Sequence, residues 1–275
     1  MITPQKHLHV IATPLDHLSI AKSSINEDRG TVKFVCYRGS IAHNTYVESD
    51  KVESDTDLLA SYVAPLDQYI GIDDVKDNGS YQYTKEGYDI VYYETKKFLR
   101  LLLHGNPNVF PYLWNVPTHI LTGNSFTKNL IKHRDAFVSQ RLHDTFIGYS
   151  FSQYGRMYKT TGNVGEKRRA LINKIGYDPK YAHHAIRLMR MYAEFLATGE
   201  FQVYRTTDRE ELIDIKLGNW NPDEIRNEYL RLRGLTENGK YALPKNPDYE
   251  VVNELCRQEI FCQIQDSVEI VLIPQ

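Results

Sequence analysis

A short turn between a predicted strand and a pair of acidic residues constrains this chain more than any other feature. Residues 31–37 are rich in β-branched and aromatic side chains, which predicts a strand, and Arg38-Gly39-Ser40 ends it with small residues that can hold a phosphate. Asp55 and Asp57 follow, and residues two apart on a strand point to the same face. Their carboxylates would lie side by side, as Mg²⁺ requires when it also holds nucleotide phosphates. The pattern indicates phosphoryl or nucleotidyl transfer.

A third carboxylate, Asp89, lies within a later apolar run at residues 88–93, which also predicts a strand. One pair of carboxylates leaves two metal ions under-coordinated, so a two-metal site needs a further ligand. A charge inside an apolar strand is costly to bury, and a metal partner would offset that cost. The alternative is a salt bridge from Asp89 to Arg38, Lys96 or Lys97.

The hydrophobic periodicity changes once along the chain, near residue 94. Before that point the sequence predicts strands at 31–37, 57–65 and 88–93, a short helix at 41–47, a loop at 48–53 and a loop or small hairpin at 69–87. After it the sequence predicts helices near 94–104, 126–158, 178–198, 207–217, 222–232 and 248–263, a loop at 162–165 and a closing strand at 268–273. We therefore expect an α+β fold. An α/β unit with a mixed sheet would span residues 1–108, and a mostly helical unit would span residues 109–275.

Composition narrows the class of protein. Three cysteines, Cys36, Cys256 and Cys262, form no CxxC pair, which argues against a disulfide framework or a structural zinc site and fits a cytoplasmic protein. The sequence has neither a signal-peptide pattern nor an apolar run of membrane-spanning length. The net charge of −2 conceals a basic middle, because residues 126–190 carry 13 Lys and Arg against 4 Asp and Glu. This segment, which includes Lys167-Arg168-Arg169, either binds a polyanion such as RNA or is simply solvated.

Taken in order, Gly39-Ser40, Asp55-x-Asp57 and Asp89 resemble the motifs of the DNA polymerase β-like nucleotidyltransferase superfamily. The runs at 98–102, 106–108, 152–153 and 183–188 are similar to a predicted nucleotidyltransferase branch of bacteria and phages. Some members of that branch are encoded beside RNA ligases and are suspected of RNA repair. The resemblance covers roughly residues 30–220. Superfamily members usually have a second glycine soon after the Gly-Ser pair, whereas Ile41-Ala42-His43-Asn44 stands here and predicts a nucleotide loop of different shape.

The resemblance implies an N-terminal nucleotidyltransferase core and a reaction that moves a nucleoside monophosphate from an NTP, such as ATP, to an acceptor hydroxyl, with release of pyrophosphate. It implies that Asp55, Asp57 and Asp89 hold two Mg²⁺ or Mn²⁺ ions and that Asp89 accepts the proton of the acceptor hydroxyl. The basic middle segment favours RNA as the acceptor. No membrane partner is expected.

The same resemblance implies which residues contact the nucleotide. The backbone N–H groups of Gly39 and Ser40 would bind the β- and γ-phosphates. Arg38, His184 and Arg187 would make further contacts with the nucleotide. The alternative for the 183–188 run is that these side chains serve helix packing.

Two other functions remain compatible with the sequence. One is a non-catalytic module that binds RNA or protein, in the manner of an antitoxin, on a nucleotidyltransferase fold. The other is an enzyme that nucleotidylates protein instead of RNA. Retention of all three carboxylates weighs against the binding module, because a polyanion-binding protein does not need clustered acids.

Overall fold

The computed structural model describes residues 13–47, 55–70, 72, 74–85, 87–159 and 165–267. Within these residues, four strands form one mixed sheet: β1 (Thr31–Tyr37), β2 (Thr56–Val63), β3 (Ser80–Lys85) and β4 (Tyr88–Glu94). Their spatial order is β1-β2-β4-β3, with β2 and β4 parallel and the two outer pairs antiparallel. The three predicted strands are confirmed, and the segment predicted as a loop or hairpin contributes β3 to a β3–β4 hairpin.

The sheet register brings the predicted carboxylates and the turn to one edge. Asp57 on β2 and Asp89 on β4 are direct partners, and each is the second residue of its strand. Because β1 is antiparallel to β2, its last residue, Tyr37, pairs with Leu58 near the beginning of β2. The turn that starts at Arg38 therefore lies beside both carboxylates.

Helices account for most of the rest of the described chain. They are α1 (Pro14–Ser23), α2 (Gly39–Ala42), α3 (Asp67–Ile70), α4 (Thr95–Leu103), α5 (Ser125–Lys132), α6 (Gln140–Arg156), α7 (Glu166–Ile175), α8 (Pro179–Thr198), α9 (Arg209–Leu217), α10 (Pro222–Thr236) and α11 (Tyr249–Ser267). Each helix predicted after residue 94 is present, and the segment predicted as one or two helices forms α5 and α6. The α+β class is confirmed.

Helix α8 is the centre of the helical part, because it is buried on two faces. Asp178 caps its first turn by accepting the Lys180 N–H, Pro179 is its first residue, and Gly199 ends it with a φ of +76°. One face of α8 packs into the main hydrophobic cluster, where it meets α6 and Trp114, and the other packs against α9 and α10. The first face contains Leu188, Met191, Tyr192 and Phe195, and the second contains Ala182, Ile186 and Met189.

The free edge of β1 is covered by chain that follows residue 108. The Leu121 N–H donates to Val35 O (2.8 Å), and Thr122 Oγ1 accepts the Val35 N–H (3.1 Å). Asn115 Nδ2 donates to the carbonyl oxygen of Tyr37 (2.9 Å). The α/β and helical units proposed from the sequence thus share backbone pairing and one hydrophobic cluster, and their boundary at residue 108 stays a prediction.

Two sequence expectations differ from the structure. The helix predicted at 41–47 is wrong, because α2 spans only Gly39–Ala42 and Asn44 leaves the helical region with a φ of +54°. Helices α1, α3 and α7 are not among those predicted from the sequence. The predicted loop at 48–53, most of the loop at 162–165 and the predicted strand at 268–273 lie outside the described residues. No described helix is both long and apolar enough to cross a membrane, and the cysteines are free thiols.

Candidate active site

A cleft of about 760 Å³ lies where the sheet edge meets the helical part. One wall consists of the turn after β1 and the beginning of β2, and the other is formed by α7, α8 and α9. The residues that line it include most of the predicted site residues, namely Arg38, Gly39, Ser40, Asp55, Asp57, His184 and Arg187. The sequence-predicted residues are therefore largely brought together by the fold.

Asp57 lines the cleft, whereas Asp89, its partner on β4, is not among the lining residues; we call the two the acidic edge, and Arg38 contacts both. Arg38 Nη2 donates to Asp89 Oδ2 at 2.7 Å and lies 3.6 Å from Asp57 Oδ1. Gln82 Nε2 donates to the other Asp89 oxygen at 2.8 Å. The salt bridge to Arg38, which was the alternative for Asp89 from the sequence, is thus present, whereas Lys96 and Lys97 lie along a different groove.

Among the described residues, the negative charge of Asp57 has fewer hydrogen-bond partners than that of Asp89. Its side chain is 28% exposed, and burial raises the pKa of Asp57 to about 6 although Arg38 lowers it. Gly39 packs directly on this carboxylate, since a Cβ on Gly39 would lie 2.0 Å from Asp57 Oδ2. Gly39 also has a φ of +61°, a conformation that favours glycine. The turn needs glycine for both reasons.

The Gly39 amide belongs to a chain of buried hydrogen bonds. The Gly39 N–H donates to Tyr112 Oη (3.2 Å), and Tyr112 Oη lies 3.4 Å from His43 Nε2. His43 Nδ1 lies 3.0 Å from Val203 O, so Nδ1 carries the proton, because a carbonyl can only accept. His43 Nε2 therefore accepts a hydrogen bond from the Tyr112 hydroxyl. Burial keeps the pKa of His43 well below its usual value, which agrees with a neutral ring.

Residues 43–45, which follow α2, are held by the helical part of the molecule. Asn44 Nδ2 donates to Arg205 O (2.9 Å), and Arg209 Nε donates to Asn44 O (2.8 Å). Lys216 Nζ donates to Thr45 O at 2.9 Å. Asn44 adopts the left-handed conformation that asparagine tolerates well, so it does in this turn what a glycine would do.

The opposite wall carries cationic side chains that form no ion pair with a described carboxylate. Arg187 is only 7% exposed, and its Nε makes no hydrogen bond within the described residues. No described carboxylate forms an ion pair with it, and its one polar neighbour of note is Met191 Sδ at 3.9 Å. Burial lowers the pKa of Arg187 to about 10, and burial together with Arg187 lowers the pKa of Lys216 to about 8. We call Arg187, Lys216 and the exposed Lys180 the basic wall.

His183 and His184 are adjacent on α8, and both line the cleft. Burial and the charge of Arg187 lower the pKa of His184 to about 3 and that of His183 well below its usual range, so both rings are neutral. His184 packs edge-on against Tyr149, with ring centroids 5.6 Å apart. His183 Nε2 is buried and has no hydrogen-bond partner in the described part of the chain.

Three arginines of the basic middle segment are paired with acids of the described chain. Arg168 is committed to Asp178 through two hydrogen bonds of 3.1 and 2.6 Å. Arg190 forms ion pairs with three acids of the last third of the chain, and Arg134 pairs with Glu200. The three acids are Asp208, Glu211 and Glu228. The basic wall is the part of this segment and its surroundings that faces the cleft without such partners.

The acidic edge fits a divalent cation that is shared with a substrate. Asp57 and Asp89 present oxygen ligands from neighbouring strands, and Asp57 carries a buried charge that Arg38 only partly offsets. Among the described residues, no three His, Cys, Asp or Glu side chains cluster as a preformed metal site. Mg²⁺ in nucleotide sites is commonly held by one or two carboxylates plus substrate phosphates, so the donor set matches that kind of site. Asp55 is exposed and lines the same cleft.

Sequence reasoning missed three residues of the cleft. Tyr112 and Lys216 had no recognisable motif, and His43 stood out only as a departure from the usual loop sequence. They reach the cleft through contacts between segments that are 69 to 171 residues apart in the chain.

Comparison with known proteins identifies the family of this chain. A family model described as RlaP, the RNA repair pathway DNA polymerase beta family, matches residues 16–228. No curated protein matches the chain. The crystal structure of a nucleotidyltransferase-like protein from Exiguobacterium sibiricum 255-15 aligns with 92% of this chain and 79% of its own, with a TM-score of 0.27 and 10% identity. Because the family model covers well over half of the sequence, the chain belongs to the RNA repair pathway DNA polymerase beta family and is a nucleotidyltransferase.

Proposed function

We propose that this protein transfers a nucleoside monophosphate from an NTP to a hydroxyl group of RNA and releases pyrophosphate. The observation that carries the proposal is the opposition of charges across one cleft. Asp57, a partly buried carboxylate whose charge Arg38 only partly offsets, lies on one wall, and Arg187, a buried arginine without a described carboxylate partner, lies on the other. A metal-bound triphosphate supplies both missing charges, since it brings a cation to the carboxylates and anions to the arginine.

The acidic edge would hold the metal. Asp57 and Asp89, with Asp55 beside them at the cleft, are the residues that would bind Mg²⁺ or Mn²⁺, and two ions are expected in this family's chemistry. When bound, the metal neutralises charge on the transferring phosphate and lowers the pKa of the acceptor hydroxyl. Arg38 would stay beside the carboxylates and contact the phosphates, because its guanidinium already lies between Asp57 and Asp89.

The remaining residues orient the substrates. Gly39 and Ser40 let the phosphates approach the backbone closely, although the Gly39 N–H must leave Tyr112 Oη to bind one. Because α2 has only four residues, its dipole contributes little, and side chains of the opposite wall such as His184 and Arg187 provide most of the anion binding.

The reaction is an in-line displacement at the α-phosphorus. The acceptor oxygen forms a bond to that phosphorus, and the bond from phosphorus to the bridging oxygen of pyrophosphate breaks. Asp89 accepts the proton of the acceptor hydroxyl. The bound orientation matters most here, because the protein contributes positioning and electrostatics and forms no covalent bond with the substrate.

The test is transfer of label from each of the four α-³²P-labelled ribonucleoside triphosphates with Mg²⁺ or Mn²⁺. Each is incubated without acceptor, with total RNA and with cell protein. We expect label in RNA with the wild type and none with Asp55→Ala or Asp57→Ala. Asp144→Ala is the matched control, because Asp144 is an exposed acid on α6 away from the cleft.

The alternatives predict different results. Label in protein would reassign the acceptor. If no label transfers and the protein binds RNA equally with and without Mg²⁺ and with Asp57→Ala, the transfer proposal is wrong and a binding module is supported.

A further inference from the structure

We infer that Arg187 and Lys216, together with His183, form a subsite that binds the polyphosphate chain of the nucleotide without any divalent metal. This inference rests on the proposed function and specifies how its nucleotide is anchored. It adds that these donors hold the phosphate chain even when no metal is bound at the carboxylates.

The first argument is the condition of Arg187. An arginine that is only 7% exposed and has no carboxylate or carbonyl partner among the described residues is unfavourable to the folded state, because its hydration has been lost and not replaced. The other arginine of similar burial in the described chain has acidic partners. Arg205, which is 2% exposed, binds both Glu194 and Asp208. The difference indicates that Arg187 faces a ligand anion.

The second argument is that further donors converge on the same space. Lys216 Nζ gives one hydrogen to Thr45 O and has others left, and Arg187 is near enough to lower its pKa. His183 Nε2 is buried without a partner among the described residues, and a neutral imidazole can donate from that nitrogen. All three side chains line the cleft.

The third argument concerns the chemical class of the anion. The donors are concentrated in one buried part of the cleft instead of along an exposed surface. A polyphosphate concentrates three or four negative charges over a few ångströms, whereas an RNA backbone carries one charge per nucleotide and follows an extended, exposed groove. The compact and buried arrangement therefore matches a phosphate chain.

The experiment is thermal unfolding in excess EDTA with added inorganic tripolyphosphate. At about 100 times its Kd, tripolyphosphate is expected to raise the Tm of the wild type by about 5 °C or more. Sulfate at equal ionic strength controls for general salt effects. Arg187→Met and Lys216→Met are each expected to weaken tripolyphosphate binding at least tenfold, measured by calorimetry. Arg100→Met, in a separate groove, is the matched control and should bind as the wild type does.

Arg187→Met is expected to fold well, because it replaces an unpaired buried charge by an apolar side chain of similar length. If it does not fold, Lys216→Met carries the test alone. The inference is overturned if tripolyphosphate raises the Tm only when Mg²⁺ is present, or if both variants bind it as tightly as the wild type. An Arg187-dependent shift with an RNA hexanucleotide that lacks terminal phosphates, and none with tripolyphosphate, would also overturn it.

This result is separable from the transfer assay. Metal-free binding that depends on Arg187, found in a protein that transfers no label, would support the subsite and contradict the transfer proposal. Normal transfer of label without metal-free binding of tripolyphosphate would support the transfer proposal and contradict the subsite.

Discussion

Replacing Asp57 by asparagine should stabilise the metal-free protein while it removes the activity. Folding raises the pKa of Asp57 from 3.8 to about 6. Partial burial and the nearby Asp89 carboxylate raise it, and Arg38 lowers it by less than they raise it. A carboxyl whose pKa is higher in the folded state binds more protons folded than unfolded. The wild type therefore loses stability as the pH rises from about 4 through 6. Asparagine is nearly isosteric and does not ionise, so Asp57→Asn avoids this loss.

The magnitude follows from the two pKa values. A difference of roughly 2 units is worth about 3 kcal/mol once both states are ionised, at 1.36 kcal/mol per unit. At pH 4, where the folded carboxyl is protonated and the unfolded one is partly so, the same values leave only about 0.5 kcal/mol. We therefore expect the advantage of Asp57→Asn in free energy of unfolding to grow from about 0.5 kcal/mol at pH 4 to about 3 kcal/mol at pH 8.

The assay is urea unfolding of both proteins in EDTA at several pH values between 4 and 8, because the other titrating groups are common to both and cancel. Asp89→Asn is the matched control. Asp89 accepts hydrogen bonds from Arg38 and Gln82, so its replacement should lower the stability at pH 8. With saturating Mg²⁺ the wild type should become more stable than Asp57→Asn, because metal binding stabilises only a protein that retains the Asp57 carboxylate. An Asp57→Asn variant that is no more stable than the wild type at pH 8, or whose advantage is independent of pH, would refute the reasoning.

Two further substitutions test how the turn is built. Gly39→Ala should abolish transfer activity and lower the free energy of unfolding by about 1–3 kcal/mol more than Gly199→Ala does. Both glycines have a positive φ, but only Gly39 lies against Asp57. Urea unfolding measures the difference, and an equal loss of stability in both variants would show that the contact with Asp57 does not matter. Tyr112→Phe removes only the hydroxyl that connects Gly39 to His43, and it should raise the Mg²⁺ concentration for half-maximal transfer while the exposed control Tyr241→Phe leaves it unchanged. An unchanged metal requirement in Tyr112→Phe would contradict the positioning of Asp57 through this chain of hydrogen bonds.

Local sequence signals predicted the elements whose cause is local. The start and end of α8 follow from an Asp178 cap, a first-turn proline and a terminal glycine, all visible in the sequence. Helix α1 had a comparable signal in Thr13 and Asp16, which form a capping box, but its weak hydrophobic pattern concealed it. The left-handed turn at Asn44 was noticed only as a missing glycine, although asparagine is the next residue to expect there.

The parts of the site that could not be predicted depend on pairing between distant segments. Asp57 and Asp89 were each placed on a strand, but their direct pairing requires that β2 and β4 be parallel neighbours, with β3 outside them. The partners of the turn come from still farther away, since Thr45 is held by Lys216 and His43 by Val203. Neither contact follows from spacing or propensity, because the two partners of each contact are 160 and 171 residues apart in the chain.

The shared edge of β1 leads to a prediction about the unit of residues 1–108, namely that it does not fold alone. Cutting there removes the backbone pairing of Leu121 with Val35 and the Asn115 bond to Tyr37. It also uncovers the parts of β1 and β2 that contact α5 and α11. Exposing even four large side chains at about 1.5–3 kcal/mol each costs roughly 6–12 kcal/mol, which equals the whole stability of a typical domain.

Circular dichroism and urea titration of the fragment 1–108, beside the full chain, test this expectation. A cooperative transition with native strand signal would show that the α/β unit is a separate domain. If the fragment shows no such transition, the helical part belongs to the catalytic core. It covers the edge of β1, holds residues 43–45 through Lys216 and places Arg187 at the cleft.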